Sequence, residues 1–176
     1  TGRRPVMFWT NGYEHWLWDD ALGYPPRRVQ GFYTQGELEL MVQRRTMRRP
    51  LASVSIDAGI AGRHYQQRAV RRVDAAFEAR QRRALLVMAT GSGKTRTAIA
   101  LVDQLMRAGW VKRVLFLADR VALVRQAVNA FKTHLPSVTT VNLVDERSAE
   151  GRVFVSTYPT LMGLIAGAKR LQAGRI

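Results

Sequence analysis

Met88-Ala-Thr-Gly-Ser-Gly-Lys-Thr95 decides how this chain is read. An apolar run, Ala84-Leu85-Leu86-Val87, leads into it, and an amphipathic run from Arg96 to Met106 leads out. Strand, glycine-rich loop and helix is the context in which backbone N–H groups turn inward around phosphate oxygens. The new helix then aims its N-terminal end at the same anion. In that arrangement Thr90, Gly91, Ser92 and Gly93 form the cradle. Lys94 reaches the β- and γ-phosphates, and the Thr95 hydroxyl is the Mg²⁺ ligand. The general pattern opens on glycine, whereas Met88 stands in that place here. A plain glycine-rich turn with a surface lysine would leave both flanks unexplained.

The chain has 176 residues, enough for one medium domain and part of another. Lys and Arg number 28 against 13 Asp and Glu, a formal net charge of +15. Such a charge favours a polyanionic partner, most simply nucleic acid. A basic segment of a larger protein with its acidic parts elsewhere reads the same way. Most of the excess is arginine, in pairs such as Arg27-Arg28, Arg44-Arg45, Arg48-Arg49, Arg71-Arg72 and Arg82-Arg83. Arginine is the better bidentate partner for phosphate. The absence of cysteine excludes disulfides and thiolate metal sites and suits a reducing interior. No apolar run is long enough to span a membrane, and no signal peptide opens the chain, so the expected location is cytoplasmic. The chain opens on Thr1 and closes inside a continuing segment, which reads as a fragment.

Three parts are expected. Residues 1–50 carry a hairpin and a short helix, 51–62 connect, and 63–176 alternate helix and strand. In the first part Asn11-Gly12 separates Val6–Thr10 from Tyr13–Trp18. Asn-Gly is a strong two-residue hairpin signal, and it pairs Phe8 with His15 and Met7 with Trp16. A helix is expected from about Gln35 to Arg45. In the third part a helix runs from His64 to about Arg80, with Ala69, Val70, Val73, Ala76 and Phe77 on one face. Ala84–Met88 and Val114–Ala118 read as buried strands of a parallel sheet. Asp119 is placed to cap a helix carrying Val124, Ala127, Val128 and Phe131. Short strands over Val138–Val144 and Val153–Ser156 and a helix from Leu161 to Leu171 complete an α/β pattern.

Further motifs surround the loop. In Arg63-His-Tyr-Gln66 an amide side chain can read adenine, with Tyr65 or Arg63 packing on the base; the same residues also suit an ordinary helix start. Asp119-Arg120 ends a strand, where ligand sites of open α/β sheets gather, and can hold a nucleic-acid phosphate. It equally reads as a cap beside a solvated arginine. Ser156, Thr157 and Tyr158 follow the same logic at the next strand end. Asp145-Glu146 imitates a Mg²⁺-holding, water-activating pair, but Asn142 interrupts the preceding apolar run, so it reads as a decoy. His15, His64 and His134 have no metal-ligand spacing.

With these motifs in order, the chain resembles the motor (R) subunit of type I restriction enzymes. The resemblance rests on Arg63–Gln66, Met88–Thr95, Phe116-Leu-Ala-Asp-Arg120 with Gln126, and Val155–Thr160. More weakly, Phe8–Gly12 and Pro26-Arg27 are similar to the last part of that family's nuclease domain. The resemblance implies a RecA-like P-loop motor lobe, preceded by a nuclease hairpin remnant, that translocates double-stranded DNA using ATP and Mg²⁺. It implies methylation and specificity subunits as partners. Gln66 matches the adenine-sensing glutamine, and Lys94 and Thr95 the phosphate and metal residues. Asp119, Arg120, Ser156, Thr157 and Tyr158 match DNA-side motifs. A helicase without nuclease, or a non-catalytic nucleotide- or DNA-binding module, remains the alternative. The family's nuclease metal site and its Asp-Glu-x-His motor motif are expected before Thr1 and beyond Ile176.

Overall fold

The computed structural model describes residues 4–146 and 150–173. Two three-stranded sheets form the frame. The first is antiparallel, in the order β1 (Met7–Thr10), β2 (His15–Trp18), β3 (Arg27–Val29). Helix α1 (Gln35–Met47) follows, started by a capping box in which Thr34 and Glu37 satisfy each other's backbone N–H. Two expected details change here. The hairpin register is Met7 with Trp18, Phe8 with Leu17, Trp9 with Trp16 and Thr10 with His15. Four residues turn the chain rather than two, because the Asn11 side chain accepts N–H bonds from both Tyr13 and Glu14. The shift is two residues, so the faces expected from the pattern are kept. Trp9 and Trp16 stack across the strands, 6.1 Å between centroids.

A parallel sheet orders the second half as β4 (Val114–Ala118), β6 (Val153–Thr157), β5 (Thr140–Asn142). Helices α2 (His64–Glu78), α3 (Lys94–Arg107) and α4 (Val121–His134) bury Val70, Ile99, Val124 and Phe131 against Val153 and Val155. Phe131 meets Phe116 edge-on at 5.5 Å. Helix α5 (Tyr158–Ala173) follows β6 directly.

The expected strand at Ala84–Met88 does not form. Leu85 and Val87 are 87% and 88% exposed, and no strand pairs with the run. An extended segment becomes a strand only when a second one supplies its hydrogen-bond ladder, and among the described residues none lies beside it. Strand β4 is also only half covered: its inward Phe116 packs on the core, while Leu115 and Leu117 stay open. Both runs were expected to be buried; each lacks cover on one side.

The connection 51–62 packs closely. Leu51, Val54, Ile60 and Ala61 are buried, and Gln104 of α3 donates to the carbonyls of Leu51 and Val54. The two halves also meet backbone to backbone. Arg49 N–H donates to Ala108, and a side chain at Gly109 would stand 2.6 Å from the Met47 carbonyl. Gly109 has φ +73°, so both its conformation and its surroundings require glycine.

Candidate nucleotide site

The loop Met88–Thr95 is neither straightened nor sealed. Gly91 and Gly93 adopt φ +76° and +83°, left-handed values that glycine reaches without steric cost. Gly93 precedes the first residue of α3, so Lys94 and Thr95 open that helix. The Ser92 hydroxyl and N–H both donate to the Ala89 carbonyl, curling the loop upon itself. Lys94 is exposed, and its ammonium donates to the Met88 and Ala89 carbonyls at 3.2 Å each. Thr97 closes the first helical turn by donating to the Gly93 carbonyl through both N–H and hydroxyl.

The start of α2 is fastened to this loop through one atom. The Ser92 carbonyl accepts from the Tyr65 hydroxyl at 2.9 Å and from Gln66 Nε2 at 3.1 Å. Gln66 is buried, and its Oε1 accepts from Arg63 N–H. Arg63 donates to the Tyr65 hydroxyl at 2.8 Å, and this bond, with the electrostatic pull of Tyr65, holds the guanidinium above its usual pKa. The fit at Gly93 is tight. A Cβ there would lie 2.4 Å from Gln66 Nε2. Sequence reasoning paired Gln66 with a base and missed Ser92 as its partner in the fold. Arg96, also unforeseen, donates to the Gly59 carbonyl and anchors α3 to the connection.

The remaining residues lie at the strand ends. Asp119 and Arg120 follow β4, are largely exposed, and stand 3.8 Å apart. Asp119 does not cap α4. The helix begins at Val121, Arg120 occupies the cap position, and no side chain caps there. The register pairs Ala118 with Thr157, so Asp119, Arg120 and Tyr158 share one edge of the sheet. Tyr158 is exposed, but Ser156 and Thr157 are enclosed. Ser156 donates to the Thr157 carbonyl, and Thr157 accepts from Thr160 N–H at the start of α5. Both hydroxyls are therefore buried and bonded within the strand end. Asp145-Glu146 forms a turn after β5. Asn142 donates to Asp145, and both following N–H groups return to the Asn142 carbonyl. Among the described residues, no three His, Cys, Asp or Glu side chains cluster to hold a metal, and no helix is long and apolar enough to cross a membrane.

Residues 59–174 match the family described as type III restriction enzyme, res subunit. The chain is 51% identical over 70 residues to the type I restriction enzyme EcoKI endonuclease subunit of Escherichia coli K12, covering 40% of this chain and 6% of that protein. It is 39% identical over 97 residues to the Escherichia coli EcoAI endonuclease subunit, covering 55% of this chain and 11% of that one. The chain therefore spans only a small part of the curated relatives it matches. A solved fragment of a putative HsdR subunit of a type I restriction enzyme from Vibrio vulnificus YJ016 aligns over 92% of this chain and 30% of its own. Its TM-score is 0.47, with 22% identity. With the family match extending over most of its length, the chain belongs to the res-subunit family of restriction enzymes, and its relatives there are endonuclease subunits of type I systems.

Proposed function

We propose that this chain carries the nucleotide-binding lobe of an ATP-driven DNA translocase, the R subunit of a type I restriction enzyme. The observation that carries the reading is Lys94. Its ammonium is exposed at a glycine-turned loop that opens a helix, and among the described residues it meets two neutral carbonyls at 3.2 Å each. An arriving phosphate competes well with them, since a charge-assisted bond to an anion is stronger than one to a neutral carbonyl. The N-terminal end of α3 favours the same anion. The residues fit ATP with Mg²⁺: Thr90, Gly91, Ser92 and Gly93 line the turn, and the Thr95 hydroxyl begins the helix where a metal ligand is needed. Bound ATP supplies the phosphoanhydride whose cleavage drives movement. Gln66 has one amide N–H engaged by Ser92 and a second for a base edge, with Tyr65 and Arg63 at its side.

Asp119, Arg120 and Tyr158 form the solvent-facing edge assigned to double-stranded DNA, while Ser156 and Thr157 hold the turn beneath them. Residues 1–50 are assigned to the end of a nuclease domain, 51–62 to the connection, and 63–176 to a RecA-like lobe. Methylation and specificity subunits are the proposed partners, in the cytoplasm.

ATP titration by calorimetry tests the reading. Lys94→Ala is expected to weaken binding at least about tenfold, and equal binding by both proteins removes the proposal. Turnover by the isolated chain is expected to be negligible. Fast DNA-stimulated hydrolysis would instead reinstate Glu146 as the base.

A further inference from the structure

A second cationic site lies between the antiparallel sheet and the helices α2 and α3, and it shares no residue with the phosphate loop. A cavity of about 330 Å³ opens where β2, β3, α1, α2 and α3 meet. This is within the size range of small-ligand sites. Arg27 of β3, Arg48 just past α1 and Arg82 beyond α2 line it. The one carboxylate on its wall, Asp19, is already held by Arg45 at 2.8 Å.

The three guanidinium groups are fixed in place but largely uncommitted as donors. Arg48 lies over the Trp110 ring at 4.8 Å, and Arg82 over Tyr24 at 4.9 Å. Arg27 donates to the Tyr33 hydroxyl and Arg82 to the Pro25 carbonyl. A guanidinium has five N–H donors in a fixed fork. The Nε of Arg48 is buried with no hydrogen-bond partner among the described residues. Partial burial, then the charge of Arg27, lowers the pKa of Arg82; Tyr24 opposes this and Arg48 adds to it. Like charges brought together against apolar walls are unfavourable unless an anion joins them. Leu17, Met41, Phe77 and Leu105 provide those walls.

We propose that this cavity binds a phosphate group, with Arg48 and Arg82 as its principal donors and Arg27 completing the set. Tyr24 and Trp110 hold the guanidinium planes by cation–π contact. The phosphate comes from a nucleic-acid strand or from a free nucleotide, and the two sources separate in solution.

The experiment uses the whole chain carrying Lys94→Ala, so that the nucleotide loop is silent. Anisotropy of a labelled single-stranded oligonucleotide reads binding over a salt series. Arg48→Met with Arg82→Met is expected to weaken binding at least about tenfold and to lower the salt slope by about two. The exposed pair Arg68→Met with Arg72→Met removes the same charge from α2 and is expected to change affinity less than about threefold. Equal losses from both pairs overturn the proposal, as does full affinity in the cavity variant. Should the double variant lose its thermal transition, Arg82→Met alone provides the test. Its side chain is exposed, so it is expected to fold and to lose affinity severalfold, and full affinity there also overturns the site. Displacement of the oligonucleotide by millimolar AMP supports a free nucleotide as the source, and retention supports the strand. Whether Lys94→Ala alone abolishes ATP binding leaves this result untouched.

Discussion

Ala84–Met88 is apolar throughout and Val153–Thr157 only over its first three residues, yet it is the second run that is buried. Val153 and Val155 are wholly buried in the middle strand of the parallel sheet, whereas Leu85 and Val87 stand almost fully in solvent. The difference lies in the neighbours. Strand β6 has β4 on one side and β5 on the other, and α4 covers it. Among the described residues, the run before the phosphate loop has no such ladder. An apolar pattern is a local property, but a strand is a contract between two segments distant in sequence.

The sharpest way to break this comparison is to place the same charge in both runs. Val155→Asp is expected to cost about 4 kcal/mol or more and to abolish the cooperative thermal transition, because an unpaired carboxylate would be buried. Val87→Asp is expected to stay within about 0.5 kcal/mol by denaturant titration. A comparable loss at Val87 would mean the run is packed in solution. Hydrogen exchange sharpens the contrast. Backbone amides of 84–88 should exchange at least about a hundredfold faster than those of 153–157, and matched protection would refute the open edge.

The glycines of the loop give a smaller effect. Gly93→Ala is expected to cost about 2 kcal/mol, from the left-handed backbone and the contact with Gln66, whereas Gly91→Ala meets open space and costs about 1. Equal costs would show that Gln66 does not brace the loop.

The smallest effect concerns the buried carboxyl of Asp74, beside α3. Burial pushes its pKa up, Gln104 opposes the shift, and Glu78 adds to it. Its Oδ1 and the Oε1 of Gln104 both lack partners among the described residues. A group whose folded pKa is raised contributes stability below its unfolded value, and that contribution is lost as pH rises through the folded value. Asp74→Asn should therefore stabilise by about 1 kcal/mol at pH 8 and by less at pH 4. A gain independent of pH would assign the effect to packing alone.

The elements with strong local signals were legible. The helix opened by Lys94 covers the amphipathic run Arg96–Met106, and the α2 face carrying Val70 and Val73 is buried as its spacing implies. Strand β4 was placed correctly, yet its coverage was not, because Leu115 and Leu117 depend on what lies across the sheet. The hairpin was visible, but its register turned on the Asn11 side chain, which the Asn-Gly signal does not encode. At the site, the loop and its glycines could be read directly. The fastening of Gln66 and Tyr65 to Ser92 could not, since 26 and 27 residues separate the partners. The same holds for Arg48 over Trp110, where the arginine pairs were plain but their convergence was not.

Gly109 leaves no side chain between the Met47 carbonyl and α3, and Arg49 hydrogen-bonds across the same joint. Backbone against backbone is a stiff coupling, with no rotamer to absorb a displacement. A tilt of α3 is therefore passed on to α1 as a torque on the N-terminal half. A side chain at residue 109 would push the Met47 carbonyl away and open that joint.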